Sequence, residues 1–330
     1  MVKKISVIGG GSWATAITKI LSANRHDIKW WLRQEETVAH IRKFKHNPKY
    51  LSSVEFDLPE ENITSDLKFA FADSEYIVLG VPSKYLPQTL AGLQPKDFEG
   101  KKIISAIKGI IQDGNLLVSQ YMQRHFSVPA DMIANISGPC HAEEVAAEKL
   151  SYLTLSSPNQ QLAEESAALF NVRFVHTRWC TDLAGTEYAS ILKNVYAIAT
   201  GLSIGLGYGD NFRAVLVSNA MEEMHYFLQN ILPEKRNDFA PAYLGDTLVT
   251  CYSQYSRNRT FGLMLGNGYT INSAILELGQ VAEGYYSTKA LKTISQEHNL
   301  KMPILESVYH ILYEKIAPSI EFRVLSSQLG

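Results

Sequence analysis

The chain has 330 residues, of which 46% are hydrophobic and 19% charged, with a formal net charge of −2. It can therefore bury a large core and is long enough for two domains, while the absence of any long basic or acidic run removes the electrostatic case for nucleic acid or an anionic membrane. Cys140, Cys180 and Cys251 are few, odd in number and widely spaced, and the sequence has no CxxC or HExxH pattern, so neither a disulfide framework nor a metal site is expected. Glycines interrupt the apolar run of MVKKISVIGGG before it reaches signal-peptide length, and no later stretch resembles a membrane span. A cytoplasmic protein is the expectation.

Taken in order, Lys4 to Ile8 reads as a short buried strand, followed by Gly9-Gly10-Gly11-Ser12-Trp13-Ala14 and a helical run from Thr15 to about Ser22. In a dinucleotide-binding turn the first glycine makes the bend, the second lets the backbone approach a pyrophosphate, and the third position needs a small residue for helix packing. Gly9, Gly11 and Ala14 fill those places. A second strand, Ile28 to Leu32, ends at Arg33, where sites that prefer NAD carry an acidic residue. An arginine there meets a 2′-phosphate and favours NADPH, with Glu35 and Glu36 as rival ribose partners.

Further strands are expected at Tyr76 to Val81, Ile103 to Ala106, Met132 to Ile136, Tyr152 to Ser156 and Val172 to Val175, with a helix from Gln160 to Phe170. Lys108 stands just past the carboxyl end of the strand at 103–106, the edge at which open α/β sheets bind ligands, which makes it a candidate for an anionic substrate. The alternation points to a Rossmann-like doubly wound α/β sheet over residues 1–184, followed by an all-helical C-terminal domain over 185–330. The change of pattern between Trp179 and Gly185 marks the expected boundary.

The helix beginning near Gly185 is apolar except for Glu187, Lys193, Asn194 and small residues, so it is expected to be buried. Thr186, Ala189, Ser190, Lys193, Ala197, Thr200 and Gly201 share one face, and small neighbours there leave room for a ligand beside the lysine. Burial lowers a lysine pKa and suits it to proton transfer. Helical runs follow at Phe212–Leu228, Tyr243–Tyr255, Ile271–Leu278, Tyr285–Asn299 and Ile304–Ile316. Two polar clusters interrupt them. Asp246 either holds the Lys193 ammonium or caps the helix after it, and Ser256-Arg257-Asn258-Arg259 offers an arginine fork suited to phosphate oxygens.

Several motifs in the same order make the chain resemble the bacterial-type NAD(P)-dependent glycerol-3-phosphate dehydrogenases over nearly its whole length. They are GGGSWATA at the start, VPS at 81–83, SAIKG at 105–109, SGPCHAEEVA at 137–146, LKNVYAIATGLSIGLGYGDN at 192–211, GDTLVTC at 245–251, SRNRTFG at 256–262 and VAEG at 281–284. The resemblance implies NADPH or NADH as cofactor, a small phosphorylated substrate, and a role in supplying glycerol phosphate for phospholipids; it leaves a homodimer open. It implies that Gly9, Gly11, Ser12, Trp13, Arg33, Lys108, Ala142, Arg257, Val281 and Glu283 meet the cofactor. By the same resemblance Lys108, Gly138, Cys140, Lys193, Asp246, Ser256, Arg257 and Asn258 surround the substrate, with Lys193, Lys108 and Asp246 carrying the chemistry between the two domains. Ala14, Cys140, His141 and Thr247 depart from the usual glycine, serine, phenylalanine and leucine. A β-hydroxyacid dehydrogenase is the rival enzyme reading and a nucleotide sensor the rival outside enzymes; the SRN cluster argues against the first, and Lys108, Lys193 and Asp246 together argue against the second.

Overall fold

The structure is a computed structural model that describes residues 2–330. It divides into two compact units, Met1–Ile107 with Val118–Leu183, and Lys108–Leu117 with Ala184–Gly330. The segment Lys108–Leu117, placed by the sequence in the first domain, groups with the helical unit and is pinched by an antiparallel bridge between Ile111 and Leu116.

The first unit alternates strand and helix: β1 (Lys4–Ile8), α1 (Ser12–Ala23), β2 (Asp27–Trp31), α2 (Glu35–Phe44), β3 (Ile63–Thr64), α3 (Leu67–Phe71), β4 (Tyr76–Leu79) and α4 (Leu86–Leu90). It continues through β5 (Lys102–Ser105), α5 (Val118–Phe126), β6 (Ile133–Ser137), α6 (Ala142–Ala146), β7 (Ser151–Ser156), α7 (Gln160–Phe170) and β8 (Val175–Cys180). The strands form one sheet in the order β3-β2-β1-β4-β5-β6-β7-β8, parallel except for the β6–β7 pair. The first six follow the doubly wound order, whose direction reverses beside β1. Continuous apolar runs such as Ile5, Val7 and Ile8, or Ile77, Val78 and Leu79, are buried, as expected of strands covered on both faces.

Two strands depart from the sequence reading. The last strand begins where Val172–Val175 was expected to end: Val172 and Val175 form only an isolated bridge, and β8 runs on to Cys180, its side chains largely exposed at the sheet edge. The two-residue β3 has no counterpart in the sequence reading, being too short to show a pattern.

The second unit is helical: α8 (Leu183–Gly205), α9 (Asp210–Ile231), α10 (Asp246–Tyr252), α11 (Arg257–Gly266), α12 (Ile271–Leu278), α13 (Glu283–Glu297), α14 (Pro303–Tyr313) and α15 (Pro318–Ser326). α8 forms its axis, with Leu192, Val195, Tyr196, Ile198 and Leu202 buried in a single core. The helix expected over Tyr243–Tyr255 is shorter, because Pro241–Gly245 forms a π-turn ahead of α10. α11 and α15 are additional.

Glu223 of α9 is buried and accepts hydrogen bonds from the backbone amides of Ile304 (2.7 Å) and Leu305 (3.1 Å), capping α14 from outside it. Burial pushes its carboxyl up to about 8, against the pull of those two donors. A carboxyl raised on folding stabilises the fold fully below its unfolded value and loses that contribution as pH rises through the folded one. Urea midpoints of the wild type should therefore fall between pH 5 and pH 8, and Glu223→Gln should flatten that slope. Glu223→Ala, which strands both amides, should cost about 2–4 kcal/mol at pH 5 and less as pH rises toward 8.

Candidate active site

The glycine turn joins β1 to α1. Gly9 has φ +142° and a methyl group on it would lie 2.7 Å from the Gly80 carbonyl oxygen, so the bend requires glycine. A Cβ at Gly11 would meet nothing within 4 Å; it would project into open space beside the turn, the volume a pyrophosphate needs if the backbone is to reach it. Ala14, the departure at the third position, is accommodated by Gly80, where an added Cβ would come within 3.0 Å of the alanine methyl. Ser12 and Trp13 open α1, whose first amides have no carbonyl one turn earlier to bond. These features fit a dinucleotide.

Arg33 follows β2 and is exposed, and Glu35 accepts a hydrogen bond from Ser65, which leaves the arginine the more available of the two for a ribose 2′ group. Gly138, beyond β6, has φ +105°, and a Cβ added to it would lie 2.9 Å from the Tyr152 carbonyl oxygen. Cys140 is buried, and Ala142 begins α6. All of these positions lie at the carboxyl ends of parallel strands, where this architecture binds ligands.

In the helical unit the structure brings Lys108, Lys193 and Asp246 together. The Asp246 carboxylate takes Lys193 on Oδ1 and Lys108 on Oδ2, the latter at 3.5 Å. Side-chain exposure is 4% for Lys193, 1% for Asp246 and 19% for Lys108, so the first two are shut from water and the third reaches it. One carboxylate is set between two ammonium groups, and Lys108, the more exposed of the two, presents positive charge that favours an anion beside it. Burial pulls the Lys193 amine below the usual lysine range; Asp246 opposes that shift and Lys108 adds to it. Asp246 does not cap α10, since Gly245 occupies the cap position and the carboxylate is turned toward the lysines. The π-turn delivers it there, and Thr250 holds its carbonyl.

A second network sits beside the first. Gly284 N–H donates to Asn258 Oδ1 (2.9 Å), Asn258 Nδ2 donates to Asn194 Oδ1 (2.9 Å), and Asn194 Nδ2 donates to the Lys108 carbonyl (2.7 Å). This amide chain ties the starts of α13 and α11 to α8 and to the backbone of Lys108. Asn258, assigned to the substrate by resemblance, thus spends both ends of its amide inside the protein. Ser256 likewise caps α11 by accepting from Arg259 N–H (3.3 Å). Arg257 is different: it is exposed at the first turn of α11, with no hydrogen-bond or ion-pair partner among the described residues. Val281 and Glu283 are half-buried on either side of Ala282, the residue that opens α13.

The small face of α8 is not left open for a ligand along its length. Gly201 and Gly205 meet the backbone of α11, and Asn194 meets Gly284. The sequence singles out Asn194 as polar in an apolar helix but gives it no partner, and nothing in the local pattern points to residues 64 or 90 positions later.

A sheet wound about such a turn, with a buried lysine–carboxylate pair in the accompanying helices, belongs to an NAD(P)-dependent oxidoreductase. Family models narrow this. Residues 4–163 match the NAD-dependent glycerol-3-phosphate dehydrogenase N-terminus and residues 182–322 its C-terminus. The chain belongs to the NAD-dependent glycerol-3-phosphate dehydrogenase family. It is similar to glycerol-3-phosphate dehydrogenase [NAD(P)+] 2 of Salinibacter ruber, with 34% identity over 96% of this chain and 92% of that protein. A Bacillus subtilis glycerol-3-phosphate dehydrogenase [NAD(P)+] is 33% identical over 97% and 93%. The crystal structure of glycerol-3-phosphate dehydrogenase from Coxiella burnetii superposes with a TM-score of 0.90 at 30% identity, covering 98% of each chain. D-Mandelate dehydrogenase, at 13% identity and a TM-score of 0.59, shares the fold alone. Among the described residues no helix is long and apolar enough to cross a membrane, and no cluster of metal-ligating side chains occurs.

Proposed function

We propose that the chain interconverts dihydroxyacetone phosphate and sn-glycerol 3-phosphate, with Lys193 as the group that moves the proton. The bound nicotinamide supplies or takes up the hydride. As the ketone oxygen gains charge, protonated Lys193 donates to it, and Lys108 adds a second positive charge; in the reverse direction the neutral amine of Lys193 accepts the hydroxyl proton. Asp246 keeps both ammonium groups in place. The observation that carries this reading is the buried Lys193–Asp246 pair with Lys108 beside it. Gly9, Gly11, Ser12, Trp13 and Arg33 hold the dinucleotide, with Ala142, Val281 and Glu283 as further contacts. Gly138 and Cys140 border the substrate. The product is the glycerol phosphate from which phospholipids are begun.

Arg257 is the leading phosphate ligand, because its guanidinium is exposed and uncommitted while Asn258 and Ser256 are engaged internally. Dihydroxyacetone phosphate should drive oxidation of NADPH or NADH followed by absorbance, and unphosphorylated dihydroxyacetone should not. Arg257→Ala should raise KM for the phosphate ester by about 10–100-fold, the loss expected of one charge-assisted hydrogen-bonding group at 1.4 kcal/mol per tenfold. Equal rates on the two ketones, or an unchanged KM in Arg257→Ala, would sink the assignment of the phosphate site.

A further inference from the structure

The three carbonyl groups of the glycine turn are all held by protein donors. Trp30 Nε1–H donates to the Gly9 oxygen (2.7 Å), Asn47 Nδ2 donates to the Gly10 oxygen (3.0 Å), and the Thr15 hydroxyl and amide both donate to the Gly11 oxygen (2.9 Å each). Asn47 also donates to the Thr15 hydroxyl (2.9 Å), which links the last two contacts. Its Oδ1 accepts from the amides of Lys49 (3.0 Å) and Tyr50 (3.2 Å), so its own loop holds it in orientation. Trp30, Asn47 and Thr15 are all buried. Neither Trp30 nor Asn47 lies in the glycine motif.

A trans peptide points its C=O and its N–H in opposite directions. Drawing the Gly9 oxygen toward Trp30 therefore turns the Gly10 N–H away from the core, and drawing the Gly10 oxygen toward Asn47 does the same for Gly11 N–H. The Thr15 contact orients the Ser12 amide likewise. The Gly10 and Gly11 amides have no acceptor among the described residues, and consecutive outward amides make a cradle for an anion. Without the clamp, glycine's freedom would let either peptide plane turn over and present a carbonyl oxygen to the anion instead.

We infer that Trp30 and Asn47 are positioning residues for the cofactor: they fix the peptide planes of Gly9–Gly10 and Gly10–Gly11 so that the turn receives a pyrophosphate. This rests on the reading of the turn as the dinucleotide site. Trp30→Phe removes one donor while keeping an aromatic ring against Phe56, whose ring lies 4.8 Å from that of Trp30. Asn47→Asp keeps the acceptor for Lys49 and Tyr50 but sets an oxygen against the Gly10 oxygen. Each variant should raise the Kd of NADPH, read from the fluorescence of the bound nucleotide without turnover, by at least tenfold. KM for the ketone phosphate should stay within twofold. Tyr76→Phe, which removes a hydroxyl bonded to Glu165 (2.9 Å) at the opposite end of the sheet, should leave Kd unchanged and controls for a general loss of stability. Folded variants that bind NADPH within twofold of the wild type would overturn the clamp. A wild type that binds neither NADPH nor NADH would instead overturn the cofactor reading beneath it. Should one variant fail to fold, the other decides the matter.

Discussion

Lys193→Ala is expected to slow reduction of dihydroxyacetone phosphate by roughly a hundredfold to ten-thousandfold, the range general acid–base catalysis contributes, while the Kd for the dinucleotide changes little. The expectation follows from location. Lys193 lies on α8 in the helical unit, whereas the glycine turn belongs to the other unit, so removing the amine takes away the proton donor without touching the turn. Removing it also takes from Asp246 its nearer lysine, with Lys108 standing at 3.5 Å, so Lys193→Met, which restores the lost bulk, tests whether an emptied site is the cause. The pH dependence carries a second signature. Because burial lowers the Lys193 pKa, the protonated donor is lost at a pH below the ordinary lysine range. Wild-type ketone reduction should therefore decline on an alkaline limb placed below that range, and alcohol oxidation, which needs the neutral amine, should rise across the same limb. Asp246→Asn removes the charge that opposes the shift, so both limbs should move to lower pH. A Lys193→Ala enzyme that retains turnover, or that loses dinucleotide binding, would show the lysine to be structural.

How far the site could be read in advance depended on whether its geometry is local. The glycine turn is: strand, bend and helix occupy adjacent residues, and each position has its own steric reason, down to Ala14 facing Gly80. Lys193 was legible because a charge in an apolar helix is conspicuous without knowing its partner. Asp246 was ambiguous, since an acidic residue at a helix start is usually a cap, and the π-turn that aims it at α8 leaves no periodic trace. The internal contacts of Asn258 were hidden for the opposite reason. An asparagine beside an exposed arginine suggests a ligand shell, yet its amide joins α8 to α13 across 64 and 26 residues of sequence. β8 was misplaced because an edge strand needs no continuous apolar run, and VHTRWC exposes the polar His176 and Arg178 together with Trp179. α11 went unrecognised because Gly262 and Gly266 lower its helix propensity. Those same glycines are what the packing requires.

Gly201→Ala is expected to unfold or severely weaken the helical unit. On α8, Gly201 and Gly205 are spaced four apart, and on α11 so are Gly262 and Gly266; the two pairs let the helix backbones approach each other directly. A Cβ at Gly201 would lie 2.0 Å from the Arg259 carbonyl oxygen, and one at Gly262 would lie 2.1 Å from that of Ile198. Neither obstacle is a flexible side chain, so the helices must separate. Alanine gains about 1 kcal/mol in helix propensity over glycine, but overpacking costs about 1–3 kcal/mol even where side chains can yield. Against backbone the cost should reach at least about 3 kcal/mol, and the clash wins. Urea midpoints measure this, with Gly209→Ala as the control: nothing lies within 4 Å of its added Cβ, and its loss should stay within about 1 kcal/mol. The effect should also reach the chemistry. Asn194 on α8 is bonded to Asn258 on α11 (2.9 Å), one residue from Arg257, so a wedge two turns further along α8 shifts Lys193 against Arg257. In any fraction of Gly201→Ala that remains folded, kcat should fall together with a rise in KM for the phosphate ester. Wild-type stability in Gly201→Ala and Gly262→Ala alike would mean that the two helices are not in backbone contact.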